Sequence, residues 1–308
     1  MDFGFIPATQ LDQVDFSLPG EPAGNAAVLA AAKSGERKHG AGKTQLYIGC
    51  PTWGRKEWIG KIYPQGTKDG NFLDHYVRQF NAVELNATHY KIYTPGEIRR
   101  WAEKAGDRPF RFCPKFPQSI SHHSNLMGVE TLTTAFLDGV SALGDHIGPV
   151  FLQLSDQFAP AQGRVLFDFL RTLPAGFVFF LEVRHPDWFL NVRYRQAFFE
   201  RLRELGIGAV ITDTAGRRDC AHMELTTARA FVRFVAYNLH PTDYSRVDAW
   251  VDRIRWWAGQ GLQELYFFTH MRDELDCPDL VAYLAEKLTE AGLPVQPPEL
   301  ISSQGSLF

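Results

Sequence analysis

Cysteine is scarce. There are four in 308 residues, Cys50, Cys113, Cys220 and Cys277, far apart and with no CxxC pair. That excludes the spacing of a zinc or thioredoxin-type site, and Cys50 and Cys113, set in apolar runs, read as small buried thiols. No apolar stretch is long enough to span a bilayer. The start, Met1-Asp2-Phe3, has no basic n-region, which argues against secretion and, with the cysteine usage, for a reducing cytoplasm. No basic run exists and the net charge is −3, so no nucleic-acid or membrane surface is implied. The nucleotide fingerprints GxGxxG and GxxxxGK[ST] are missing too, and no cofactor is called for.

What is present is a large apolar fraction, 45%, of which much is aromatic. The length allows one barrel or two ordinary domains. Four apolar runs turn polar on one face as they end: Ala82-Val83-Glu84-Leu85-Asn86, Phe110 to Lys115, Phe179 to Arg184, and Phe231-Val232-Arg233. Side chains alternate along a strand, so Glu84 with Asn86, Arg111 with Lys115, and Glu182 with Arg184 each share a face. A charge at the end of a buried strand is costly unless paired or met by a ligand. Its repetition on strand after strand places a polar site at one mouth of a barrel.

From Gln45 onward strands and helices alternate. Strands are expected near 45–50, 82–86, 110–115, 149–154, 177–183, 208–212, 230–235 and 264–269. Helices are expected near 70–80, 96–105, 131–144, 162–173, 193–205, 246–260 and 278–291, with none after the sixth strand. Trp256 and Trp257 sit at helical spacing and are expected in the core. Eight strands with intervening helices make a (β/α)8 TIM barrel over 45–291, with an open doubly wound sheet as the rival. Residues 1–44 form an N-terminal extension. It holds a Pro/Gly segment around Pro19–Gly24, a short helix near Ala26–Ala32 and a basic, Gly-containing stretch from Lys33 to Lys43. It reads as a mobile arm, or as one pinned to the barrel by Phe3, Phe5 and Phe16, in either case an appendage a protease removes from a folded core. Residues 292–308 are a tail.

Several motifs are similar to those of the domain-of-unknown-function family 72. They are Ile48-Gly49-Cys50-Pro51-Thr52-Trp53, Trp58 with Tyr63-Pro64, Phe80 to Tyr90, Phe110 to Lys115, Gly148 to Leu154, Glu182 to Phe189, and Ile211-Thr212-Asp213. The likeness runs from about residue 46 to 290, in the family's order. It implies a TIM barrel and no established activity. Where many members carry an Asn-rich ending at strand eight, this chain has Phe267-Phe268-Thr269-His270-Met271-Arg272-Asp273-Glu274.

Barrel ligands bind at the C-terminal ends of the strands. The candidates there are Thr52 and Trp53, Glu84 and Asn86, Lys115, Gln153, Glu182 with Arg184 and His185, Asp213, Arg233, and His270. Glu182 and Asp213 are the expected acid–base groups. Lys115 is a charge clamp, a nucleophilic amine if desolvated, or simply the partner of Glu84. Arg184 and Arg233 are forks suited to carboxylate or phosphate. Trp53 and Tyr90, with Trp58, Tyr63 and Trp188, either stack on a ligand or pack loops. His122 and His123 read as solvated loop residues.

Three readings compete. The first is an enzyme acting on a small anionic or polyhydroxy (sugar-like) molecule by acid–base chemistry, as a lyase, isomerase or hydrolase. The second is a divalent-metal barrel of sugar-isomerase type on Glu84, Glu182, Asp213 and His270. The third is a non-catalytic sensor or scaffold. The six charges also allow an internal ion-pair lattice that merely closes the barrel mouth. The reading preferred is that of an anion-binding pocket needing no tightly held metal.

Overall fold

Alternation of buried apolar strands with amphipathic helices leaves the strands no choice but to lie parallel beneath a helical layer. The computed structural model describes residues 3–34 and 43–301. The strands are β1 Gln45–Cys50, β2 Ala82–Leu85, β3 Arg111–Pro114, β4 Val150–Gln153, β5 Phe179–Glu182, β6 Gly208–Asp213, β7 Arg229–Val235 and β8 Glu264–His270. All pairings are parallel, and β8 closes onto β1. Between β3 and β4 only single bridges form, Phe112 with Ile147 and Lys115 with Phe151. The result is a nearly closed (β/α)8 barrel, with strands and connecting helices where the periodicity put them.

The barrel interior is filled by one side chain in two from each strand. Tyr47, Ala82, Cys113, Phe151, Phe180, Val210, Phe231, Tyr266 and Phe268 pack together there. The other face of each strand packs against the outer helices, in a larger apolar core. Gly49 on β1 is required sterically: a Cβ there would lie 2.0 Å from the carbonyl oxygen of Ala82. All four cysteines are buried and free, Cys50 and Cys113 as their apolar runs imply.

Among the described residues, besides the four-residue helices Ala87–Tyr90 and Asp187–Leu190, seven longer helices follow strands: Phe72–Gln79, Pro95–Ala105, Glu130–Ser141, Gly163–Thr172, Val192–Leu205, Pro241–Gln260 and Cys277–Glu290. After β6 there is only a short turn at Arg218–Cys220. The N-terminal helix Ala23–Ser34 stands in that position. Asn25 bonds the backbone of Met223 and Leu225, which follow β6. Glu21 binds Arg253 and Trp257 on the helix after β7, while Gly24 lies against Arg203 on the helix after β5. Leu29 is fully buried in the outer core. The extension thus lies outside the strand order and packs a helix against the barrel wall, which is the pinned arrangement of the two expected.

Ahead of that helix the chain crosses the barrel mouth, pinned at the three phenylalanines. Phe3 lies under the guanidinium of Arg184, Phe5 stacks on Tyr237, and Phe16 lies under Arg246 and Arg218. Most of the stretch from Lys33 to Lys43, and residues 302–308 of the tail, fall outside the described residues. One correction concerns Trp256, which is 44% exposed beside a buried Trp257. Neighbours on a helix are about 100° apart, so only one of them faces the core. No helix among the described residues is long and apolar enough to cross a membrane.

Candidate functional site

Strand alternation fixes which residues reach the mouth. On β7, Phe231 faces the barrel interior, so Arg233 does too; on β5 Phe180 brings Glu182 inward, and on β8 Phe268 brings His270. Glu84, Gln153 and Lys115 follow the same rule from Ala82, Phe151 and Cys113. Of these mouth residues, all but Glu182 line a cavity of about 550 Å³ at the C-terminal end of the strands. Phe3, Thr52, Trp53, Asn86, Tyr90, Arg184 and Glu274 also line it.

Beneath the cavity runs a chain of buried ion pairs. Arg233 donates twice to Glu84, Nε to Oε2 at 2.9 Å and Nη2 to Oε1 at 2.7 Å, and once to Glu182, Nη1 to Oε2 at 2.7 Å. Arg184 Nε donates to the other oxygen of Glu182 at 2.7 Å. Asn86 Nδ2 and His270 Nε2 donate to Glu84 at 2.9 and 3.0 Å. Glu84 thus accepts four hydrogen bonds, the full capacity of a carboxylate. The two acids and two arginines cancel in charge, which is the internal lattice the charge count allows.

The lattice sets the proton affinities. Burial works to raise the carboxyl of Glu182, but Arg184 and Arg233 outweigh it and hold it down at about 2. Glu84 is likewise held well below the usual range, by Arg233 and His270 against burial. Burial lowers the pKa of the His270 imidazole below its ordinary value, with Glu84 working against it. Groups so far from neutrality exchange protons poorly at pH 7. Glu182 serves as an ion-pair anchor, a different part from the acid–base one expected of it.

Lys115 is the contrast. Only 7% exposed, it lines the cavity, and among the described residues its ammonium has no hydrogen-bond or ion-pair partner. The expected pairing with Glu84 does not form, because Arg233 occupies that carboxylate. Burial lowers the lysine, Arg233 and Arg184 push it further down, and the acids offset this only in part, leaving it at about 7. The chain itself holds the backbone: Thr88 Oγ1 accepts from Lys115 N at 3.1 Å and donates to its carbonyl at 2.8 Å.

Asp213 is placed elsewhere. It follows inward-facing Thr212 and so points outward, where Arg246 (2.9 Å), Trp250 (2.7 Å) and Arg218 bind it under the arm. Its carboxyl is lowered by Arg246 and Arg218 against burial. The acid–base part expected of it is corrected accordingly. His185 also stands off the cavity, accepting from the backbone N–H of Asp187. With Asp213 removed and Arg233 between Glu84 and Glu182, the four supposed metal ligands do not converge. No group of three or more His, Cys, Asp or Glu among the described residues is arranged to hold a metal.

Of the aromatics, Trp53 and Tyr90 line the cavity, Tyr90 being 73% exposed, while Trp58, Tyr63 and Trp188 are buried packing. Sequence reasoning missed three residues. Glu274 lines the cavity in a left-handed backbone conformation (φ 61°), and burial raises its carboxyl. His122 is half-buried, bonded to Ser121 and 3.5 Å from Gln153, so it is no solvated loop residue. His89 packs 5.1 Å from it, and burial and Lys115 hold it down at about 4. No periodic signal marks Glu274, which lies on an irregular loop.

The family described as "Protein of unknown function DUF72" matches residues 47–302, and the chain belongs to it. The UPF0759 protein YecE of Escherichia coli K12 is 32% identical over 281 residues, covering 85% of this chain and all of that protein. A crystal structure of a DUF72 family protein from Enterococcus faecalis superposes with a TM-score of 0.64 at 14% identity, over 80% of this chain and 96% of the other. One from Thermotoga maritima does so at 0.56 and 19%, over 80% and 98%. At these identities the structures speak for the fold alone.

Proposed function

We propose that this member of the DUF72 family is a barrel enzyme acting on a small organic molecule with anionic or hydroxyl groups, with Lys115 as its proton-exchanging residue. The observation that carries this reading is the asymmetry of the cavity. Glu84, Glu182, Arg184 and Arg233 are each taken up by a partner, whereas among the described residues the amine of Lys115 has none. With the lattice neutral overall, a protonated Lys115 gives the cavity net positive charge, which favours an anion. A lysine at about 7 is half-protonated near neutral pH and works equally as acid and as base. Trp53 and Tyr90 offer flat faces at the rim for the ligand's carbon skeleton.

The test is a metabolite extract incubated in D2O with wild-type protein and with Lys115→Gln, followed by NMR. The expected result is deuterium entering, or turnover of, a small acid or sugar derivative with wild type only. Equal signals from both proteins, or none from either together with no ligand-induced thermal shift, would overturn the reading.

A further inference from the structure

Resting on that reading, we propose that Lys115 forms a protonated imine with a carbonyl compound, so that the substrates are small aldehydes or ketones carrying an anionic or hydroxylated arm. An amine becomes a carbonyl nucleophile when it is free of partners, shielded from water and kept neutral by nearby cations. Lys115 meets each condition. It makes no ion pair or hydrogen bond through its amine among the described residues, it is almost wholly buried, and Arg233 and Arg184 flank it. Both arginines are fixed by Glu84 and Glu182, so they raise the local potential without moving to cover the amine.

The step balances within the cavity. The lone pair of neutral Nζ attacks the carbonyl carbon, the C=O π pair moves to oxygen, and a proton passes from the now cationic nitrogen to that oxygen to give a neutral carbinolamine. Its hydroxyl leaves as water after a second protonation, while the nitrogen lone pair forms C=N. Overall, a carbonyl compound and an ammonium give an iminium and one water, with no redox partner. The dehydration needs a proton donor within the cavity, and Glu274, whose carboxyl burial raises, lines the same wall and is assigned that part. The iminium then withdraws electrons from the adjacent carbon, which is what carbon-acid or carbon–carbon bond chemistry on such substrates requires.

The experiment is reductive trapping on the full chain, with glyoxylate and pyruvate as probes and cyanoborohydride as hydride donor, followed by peptide mass spectrometry. Lys91 and Lys287 serve as internal references, because their ion pairs with Glu97 and Glu290 hold their amines above the ordinary value. The expected result is a carboxyalkyl adduct on Lys115, formed at least about tenfold faster than on Lys91 at pH 7.5, since far more of the amine is neutral there. Its rate should level off above pH about 7. Lys115→Arg should leave the reference lysines labelled at their wild-type rate. No adduct at Lys115, or one no faster than at Lys91, overturns the imine. If phosphate or a carboxylate still shifts the melting temperature of wild type and not of Lys115→Gln, the acid–base reading survives that failure.

Discussion

Arg233 on β7 and Glu84 on β2, three strands apart around the barrel, face each other across its interior in a two-point ion pair with N–O distances of 2.9 and 2.7 Å. Both are essentially without solvent contact. The same arginine spends its remaining face on Glu182. A fork of fixed shape serving two carboxylates holds β2, β5 and β7 in register at the level of the cavity floor.

Removing the hub should therefore cost more than any surface change. Arg233→Met leaves Glu84 and Glu182 buried and under-compensated, and the expected loss is about 3–5 kcal/mol of unfolding free energy in a urea titration. Adding Glu84→Gln and Glu182→Gln in the same chain should recover much of it. A loss below about 1 kcal/mol for the single variant would mean that water reaches these acids.

Lys115 should show the opposite sign. Its folded pKa of about 7 lies below the ordinary lysine value, so near neutrality the folded state must either release a proton or bury a charge. Lys115→Met is expected to raise stability at pH 7 by about 1–4 kcal/mol. The gain should shrink as pH rises through 10, where the unfolded lysine also loses its proton. Denaturant midpoints for both proteins from pH 6 to 10.5 check this. A destabilised variant would place Lys115 among the structural groups.

Acid should unfold the protein in two stages. His222, buried and held down at about 3, and His89, at about 4, have folded pKa values below their ordinary 6.5. Their contribution is fully present above pH 6.5 and fades as pH falls toward 4 and 3. Glu182, at about 2, adds a contribution present above its unfolded value near 4.5 and lost between there and pH 2, about 3 kcal/mol in all. His222→Gln should flatten the first stage alone, as seen in stability measured at pH 7, 5 and 4. An unchanged slope between pH 7 and 4 would show that His222 is protonated in the fold.

The N-terminal helix should behave as part of the wall. Leu29→Ala is expected to cost about 2–4 kcal/mol, since it empties a fully buried site between outer helices. Limited proteolysis should spare Ala23–Ser34, and a chain begun at Thr44 should melt well below the full protein. Identical melting of the two would return the extension to the status of an appendage.

Asp213 offers the control. Asp213→Asn leaves Arg246 and Arg218 short of a counter-charge beneath the arm, so stability should fall by about 3 kcal/mol. Any ligand that shifts the wild-type melting temperature should shift this variant by the same amount. A selective loss of ligand binding would bring Asp213 back to the site.

The barrel was legible in the chain because both of its signals are local. Period-two burial in strands such as Phe179–Glu182, and period-three-to-four burial in helices such as Val192–Leu205, need only neighbouring residues to be read. The same alternation brought Glu84, Lys115, Glu182 and Arg233 to one mouth. It also warned against Asp213, one residue out of phase with Val210 and Thr212, had the phase been followed to the strand's end.

Partner choice was not local. Whether Glu84 would take Lys115 or Arg233 depended on which cation could reach it across the barrel, and two-point geometry chose the arginine fork. That choice left the lysine amine without a partner among the described residues. The gap after β6 could be foreseen, whereas its filling by a helix some 180 residues earlier in sequence could not, since nothing within either segment refers to the other. Composition and periodicity determined the barrel and the polarity of its mouth, because each strand carries its own burial pattern. Only the folded chain decided which charges neutralise one another, because that depends on distances across the barrel that no stretch of sequence encodes.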